Sequence, residues 1–339
     1  IPKRIAILPE AHTKNKFYVD NILELRQLFR RIGIECEVGW WDKEMISKSE
    51  FAPSFDIESS SGRTVTVHPF RRVGDKLSFQ PFEPEFVVAN NDFSSGYPVE
   101  LDGIVQPIEP SPKLGWHTRK KSDFFAHYNR LSADLCREAG LDPWCMQVDT
   151  RLVANVDFES GEGLDRIAAA VDDLISNLVV EYRKREINEK PFVFVKSNSG
   201  TYGMGIMKVE SGAELLSMNR RERNKMSVVK NQLEVHDVIV QEGIPTRFQF
   251  DGVYAEPAIY MLGCDVMGGF LRKNPMRGKD ENLNAKGMVF QKLCISDLRK
   301  VGSGGIGKDL ELELVYGTIA QLSAAAMSLE VKEAIHGRN

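Results

Sequence analysis

The segment Val193-Phe194-Val195-Lys196-Ser197-Asn198-Ser199-Gly200-Thr201-Tyr202-Gly203-Met204-Gly205-Ile206 has the make-up of a phosphate site. An apolar run ends in a lysine, a glycine-rich loop follows, and a second apolar run begins. Glycines let the backbone approach phosphate oxygens and turn N–H groups toward them, while lysine adds a fixed positive charge. The segment is not a Walker A loop, because the Gly-Lys-Ser/Thr ending is missing and a strand pattern follows where a helix is required. The dinucleotide fingerprint is excluded for the same reason. Taken alone, the pattern also fits a plain β-hairpin with a glycine turn. Downstream, Val238-Ile239-Val240-Gln241-Glu242-Gly243-Ile244 is an apolar run ending in two polar residues. Gly268-Gly269-Phe270-Leu271-Arg272-Lys273-Asn274 ends near an arginine suited to a bidentate grip on a phosphoryl or acyl-phosphate oxygen. Asp280-Glu281-Asn282-Leu283-Asn284-Ala285-Lys286-Gly287 adds Asn282, whose amide can reach a γ-phosphate or a metal-bound water.

Periodicity supplies the elements that must hold these residues. Residues 4–8 read as a strand, 17–32 as a helix stopped by Gly33, and 34–41 as a second strand. Residues 54–62 read as a surface loop and 63–68 as a hairpin strand. Residues 86–89 form a short apolar strand followed at once by Asn90-Asn91-Asp92-Phe93-Ser94-Ser95-Gly96. A polar loop beyond the carboxyl end of a strand is where open α/β sheets bind ligands. Helices are expected at 122–139, 164–184, 213–223 and 310–331, and strands at 192–196, 205–209, 238–242, 253–261 and 266–272. The glycine-rich stretch from Gly302 reads as a linker. The fold class is α/β with α+β character in the C-terminal half. A Rossmann-like domain is placed at residues 1–149 and a second domain at 150–339, split into subdomains at about 190–240 and about 241–339.

Bulk properties narrow the function classes. The chain has 339 residues, 42% hydrophobic and 27% charged, which is a globular balance. A net charge of −4, from 44 basic against 48 acidic residues, speaks against nucleic acid as a partner, the basic cluster at 220–225 notwithstanding. No apolar run is read as approaching the roughly 20 residues of a membrane span. No signal peptide is read at the start, and the opening at Ile1 without Met is read as the loss of a few native residues. The five cysteines lack metal or disulfide spacing and are expected as buried thiols in a reducing cytoplasm. The six histidines show no metal spacing either, and His117 alone falls near a suspected site.

The order strand–lysine–glycine loop–strand, strand–Gln-Glu-Gly, strand–arginine and Asn-Leu-x-x-x-Gly resembles the ATP-grasp ligases. More specifically, Ala89-Asn90-Asn91-Asp92-Phe93-Ser94-Ser95-Gly96, Gly115-Trp116-His117-Thr118-Arg119-Lys120-Lys121-Ser122 and the segment 281–287 resemble the small proteobacterial glutamate–cysteine ligase family. The resemblance implies a pre-ATP-grasp domain followed by an ATP-grasp domain, with ATP and Mg2+ as cofactors. It also implies amino acids as substrates in glutathione biosynthesis, no membrane, and homo-oligomerisation as an open question. Lys196, Ser199, Gly200, Tyr202, Gly203, Gly205 and Asn284 would hold the phosphates, and Gln241 and Glu242 the nucleoside. Lys196, Arg272 and Asn282 would be catalytic. Arg119 and Lys121, beside Trp116, are candidates for substrate carboxylates, and Asp92 and Ser94 for the rest of the amino acid. The late Glu-x-Asn metal pair of many ATP-grasp enzymes is missing after Gly287. By analogy with eukaryotic-type glutathione synthetases, Asn90, Asp92 and Asn198 would hold the metal, with Glu256 and Glu281 in reserve. Another carboxylate–amine ligase, such as a glutathione synthetase or an amino-acid-adding peptide ligase, is the nearest alternative. A non-catalytic nucleotide-binding protein is the second.

Overall fold

The computed structural model describes residues 1–10, 16–41, 50–80, 82–94, 96–200, 205–227, 235–293 and 312–336. The chain divides into two compact units, Ile1–Thr118 and Arg119–Asn339. The break falls earlier than the boundary expected near Asp149. The helix of residues Lys121–Glu138 packs with the second unit, against its last helix and its first strand.

The first unit contains β1 (Arg4–Pro9), α1 (Lys16–Arg31), β2 (Glu35–Trp40), β3 (Phe55–Glu58), β4 (Thr64–Pro69), the hairpin β5 (Arg71–Val73) and β6 (Lys76–Ser78), β7 (Phe86–Asn90) and β8 (Ile108–Glu109). Six strands form one sheet in the order β3-β4-β2-β1-β7-β8. All neighbours are parallel except β3 and β4. β1 is central, and it is apolar after Arg4 because both its faces are covered. Ile5 and Ile7 meet Val19, Ile22 and Leu23 of α1, while Ala6 and Leu8 meet Phe70, Leu77 and Phe79. β2 lies on one side of β1 and β7 on the other, so the sheet order reverses at β1. That reversal makes the crevice beyond β1 and β7 a topological switch point. The expected loop at 54–62 instead contains β3. It is an edge strand with largely exposed side chains, so it lacks the apolar alternation that marks a strand.

The second unit contains α2 (Lys121–Glu138), β9 (Thr150–Val153), α3 (Leu164–Lys184), β10 (Val193–Ser197), β11 (Ile206–Val209), α4 (Gly212–Leu216), α5 (Arg220–Ser227), β12 (Val238–Glu242), β13 (Gln249–Phe250), β14 (Val253–Leu262), β15 (Asp265–Lys273), β16 (Val289–Leu293) and α6 (Leu312–His336). One antiparallel sheet runs β11-β10-β12-β9 and another runs β13-β14-β15-β16. α3 lays Ile167, Val171, Leu174 and Leu178 on Val193, Val195, Val238 and Val240, which closes one face of the first sheet. The single helix expected at 213–223 is two. Asn219 accepts a hydrogen bond from the Glu222 N–H (3.1 Å) and donates its own N–H to the Glu222 carboxylate (2.9 Å), a capping box that starts α5 afresh. β9 and β16 went unread because they are short and partly exposed.

The stretch Leu314–Ala334 of α6 is long and apolar enough to cross a membrane by length and composition, contrary to the sequence reading. It nevertheless packs on α2 and on β14 and β15, and it carries a buried glutamate, Glu330. Cys36 and Cys136 are buried free thiols as expected, but Cys145 and Cys264 are exposed. Cys294 and the Gly302 linker lie outside the described residues.

Packing in the first unit leaves no room at Gly39, where a Cβ would fall 2.0 Å from the ring of Phe70. Phe70 is itself buried, so the ring has nowhere to swing. Gly39→Ala is expected to cost about 2 kcal/mol through overpacking, read as a lower denaturant midpoint at constant slope.

Candidate active site

Successive residues of a strand point to opposite faces. In the first sheet of the second unit, Val193 and Val195 face α3, so Phe194 and Lys196 face the other way. Across the ladder Phe194 pairs with Gln241 and Lys196 with Ile239. The Lys196 ammonium donates to Gln241 Oε1 at 3.0 Å on that second face. Burial pulls its pKa down to about 8, and the negative charge of Glu256 works in the opposite direction. Glu256 stands on β14 directly opposite Arg272 on β15. Arg272 donates to Glu256 Oε2 from Nε (3.1 Å) and Nη2 (2.7 Å). Lys196, Gln241, Glu256 and Arg272 therefore form one polar group set between the two sheets of this unit.

Glu242 departs from the expectation. It pairs with Val193 and so shares the face packed against α3, away from Lys196 and Gln241. Its carboxylate accepts a hydrogen bond from the Asp149 N–H at 3.2 Å.

The chain after Lys196 is tied to the start of α2. The Lys121 ammonium donates to the carbonyls of Ser197 (2.8 Å), Ser199 (3.3 Å) and Gly200 (3.1 Å). Burial, followed by repulsion from Lys196, Arg119 and Lys120, brings its pKa down to about 8. Lys121 is thus bonded to the glycine segment, where a substrate carboxylate was expected. Asn198 is 2% exposed. Its carboxamide accepts from the Ser122 N–H (2.9 Å) and donates to Ser122 Oγ (3.0 Å). Both ends of the Asn198 amide are thus engaged at the start of α2. Arg119 is likewise committed: it donates to Glu330 of α6 from Nη2 (2.8 Å) and Nε (3.4 Å). Gly200 and Gly205 take left-handed φ of 88° and 62°, which the phosphate reading of this loop requires of glycine. Tyr202 and Gly203 lie outside the described residues.

Arg272 leads into the Asn282 loop through a residue that the sequence did not flag. Asn274 is fully buried. Its Nδ2 faces the carbonyls of Leu283 (3.3 Å), Ala285 (3.4 Å) and Lys286 (3.4 Å), and its Oδ1 accepts from the Met276 N–H (3.1 Å). One carboxamide thus sets the curvature of the loop that carries Asn282 and Asn284. Within it, Asn282 Oδ1 accepts from the Asn284 N–H at 3.0 Å. Glu281 accepts from the Gly278 N–H (2.7 Å) and from Arg277 Nη1 (2.6 Å) in a local turn. No composition or spacing rule singles out Asn274, because its partners are backbone carbonyls that only the folded loop brings to it.

In the first unit, Asn90, Asp92, Ser94 and Trp116 do come together at the switch point. The Tyr18 hydroxyl is 2.8 Å from Asn90 Oδ1, the Asp92 N–H donates to Glu10 Oε1 (2.8 Å), and Asn91 Nδ2 donates to the Pro9 carbonyl (3.0 Å). Asp92 Oδ1 accepts from the Ser94 N–H (2.9 Å), and the Trp116 N–H donates to the Asp92 carbonyl (2.9 Å). Glu10 and Tyr18 are additions to the residues read from sequence. Among the described residues no group of three or more His, Cys, Asp or Glu side chains is placed to hold a metal.

A lysine and an arginine from the two sheets of this unit, with Glu256 acting on both, are groups suited to an anion. The comparisons give the class. The glutamate–cysteine ligase family model matches residues 2–331, and the chain belongs to that family of ATP-dependent ligases. A solved structure from Methylobacillus flagellatus KT, described as a "Putative gamma-glutamylcysteine synthetase", is 35% identical, with a TM-score of 0.81 over 98% of this chain and 77% of that one. The D-cycloserine synthetase DcsG is 14% identical at a TM-score of 0.46, over 97% of this chain and 82% of that one. D-alanyl-alanine synthetase A from Vibrio cholerae O1 biovar eltor str. N16961 is 12% identical at 0.41, over 96% and 81%. No curated protein matches the chain.

Two outcomes follow from the ties described. Glu330→Ala removes the partly buried carboxylate that Arg119 grips from two nitrogens and is expected to destabilise the second unit by about 2 kcal/mol in a urea titration. Asn274→Leu keeps the volume but removes the donors to three carbonyls. Amide hydrogen exchange over residues 282–287 is expected to speed up about tenfold, with β14 and β15 protection kept.

Proposed function

We propose that the chain joins L-glutamate, through its γ-carboxylate, to L-cysteine, giving γ-glutamylcysteine, ADP and phosphate. The observation that carries the reading is the cleft of Lys196, Gln241, Glu256 and Arg272 in a chain matched almost end to end by the glutamate–cysteine ligase family. The γ-carboxylate takes the terminal phosphoryl group of ATP. The cysteine amine then attacks the acyl phosphate, its proton leaves, and phosphate departs. Little covalent chemistry falls to the protein, so positioning and charge neutralisation carry the rate. Lys196 and the amides near Gly200 and Gly205 grip the phosphates. Arg272, held ready by Glu256, meets charge on the transferring group. Asn282 and Asn284 face the same chemistry from a loop fixed by Asn274.

Magnesium, when bound, would neutralise charge on the phosphates; it prefers oxygen ligands and keeps several waters, so few protein ligands are needed. Glu256 would hold it through Oε1, the oxygen to which Arg272 does not bond. Asp92 and Glu10, at the switch point of the first unit, suit a substrate ammonium.

The test is phosphate release from MgATP with single amino acids and with pairs. Release that needs glutamate and cysteine together, and that falls at least a thousandfold in Lys196→Ala, supports the reading. Release with γ-glutamylcysteine plus glycine instead moves the substrate and keeps the class. No release with any pair sinks the proposal.

Lys196 also sets a pH dependence. In the ligand-free protein its pKa is about 8, below the ordinary lysine value of 10.5. Bound phosphates favour the charged form, so binding above that pKa must take up a proton. Nucleotide affinity is therefore expected to hold below pH 8 and to fall up to about tenfold per unit above it. The ligand-free fold moves the other way. Its penalty for burying this charge is present below pH 8 and is relieved as pH rises from about 8 toward 10.5. Nucleotide titrations and urea melts from pH 7 to 9.5 check the two opposed trends.

A further inference from the structure

The other face of the first sheet holds a separate cavity. It measures about 410 Å3, within the range of small-molecule sites, and lies among α2, α3 and the end of β12. Trp144, Asp149, Leu178, Glu181 and Glu242 are among its walls. Glu242 is the informative one. It is 5% exposed, and its one described hydrogen bond comes from the Asp149 N–H at 3.2 Å. The neighbouring carboxylates already have cations: Glu181 has Lys184 and Arg185, and Asp149 has Arg151. Arg185, which also acts on Glu242, is bonded to Glu181 and Asp142 and stacks 4.2 Å over the Trp144 ring. Among the described residues Glu242 makes no ion pair. A buried carboxylate is costly unless a cation meets it. A cavity beside it leaves space for a ligand to bring one.

We propose that this cavity binds a small organic amine that carries no carboxylate. Its ammonium would meet Glu242 and its hydrocarbon would lie along Leu178 and Trp144. The carboxylates of Asp149 and Glu181 disfavour an amino acid in the same place. The site is distinct from the Lys196 cleft, because Glu242 and Gln241 are neighbours on one strand and point to opposite faces. The proposal does not depend on which substrates the cleft accepts.

The experiment is isothermal titration of the full chain, without nucleotide, using putrescine and propylamine, with ornithine as the carboxylate-bearing counterpart. Saturable binding of the two amines is expected, with ornithine at least tenfold weaker. Glu242→Gln should weaken amine binding at least tenfold. Asn177→Lys at the exposed rim should do the same, because its tethered ammonium fills the cavity. Lys196→Ala should leave amine binding intact. Absence of saturable binding, binding that survives both Glu242→Gln and Asn177→Lys, or binding lost in Lys196→Ala would each overturn the proposal. Ornithine binding as tightly as putrescine would overturn the exclusion of carboxylates.

Discussion

Burying an ammonium group costs free energy unless oxygen atoms replace its water, and the second unit buries two of them. Lys121 is met by three backbone carbonyls, and Lys196 by the amide of Gln241 with the Glu256 charge near it. The two lysines stand close enough to repel one another. Much of the surrounding arrangement answers that constraint. The glycine segment must curve its carbonyls toward Lys121. A strand face that could otherwise be wholly apolar, with Ile239 and Phe194, keeps Gln241 as an acceptor. Replacing the water of Lys196 with fixed dipoles also means that little reorganisation is required when an anion arrives.

The same economy operates across the second sheet. Arg272 donates from two nitrogens to one oxygen of Glu256 before any ligand is present, so the guanidinium is already oriented. Asn274 fixes the next loop with one side chain. Its burial makes the arrangement all or none, because an unpaired buried amide would be worse than none. Arg119 and Glu330 join the start of α2 to α6. A proposed catalytic position and a stabilising tie are thus neighbours in sequence: Arg272 and Asn274 flank one residue.

The first unit is simpler. A central strand covered on both faces places its carboxyl end, with that of β7, at a point where the sheet order reverses. The loop from Asn90 to Ser94 is held there by Glu10 and Tyr18, so its acidic and amide groups are fixed by their neighbours.

Sequence alone determined the repeating parts, because burial writes a period into them. The 164–184 helix, the strands β1, β7, β10 and β12, and the lysine–glycine and arginine–asparagine segments were all legible from apolar spacing and residue type. It failed at β3, β9 and β16, whose exposed side chains carry no period, and at the α4–α5 break, where the Asn-x-x-Glu signal was present but was read through. Which charged residues act and which merely hold was a different matter. Arg119, Lys121 and Asn198 have the chemistry of ligand-binding groups, and Glu242 follows Gln241 as if to share its task. Only the tertiary structure gave the first three to Glu330, to the glycine-loop carbonyls and to Ser122, and turned Glu242 to the opposite face. The reason is physical: a side chain's type fixes what it can bond to, but its partner is whatever the fold brings within about 3 Å.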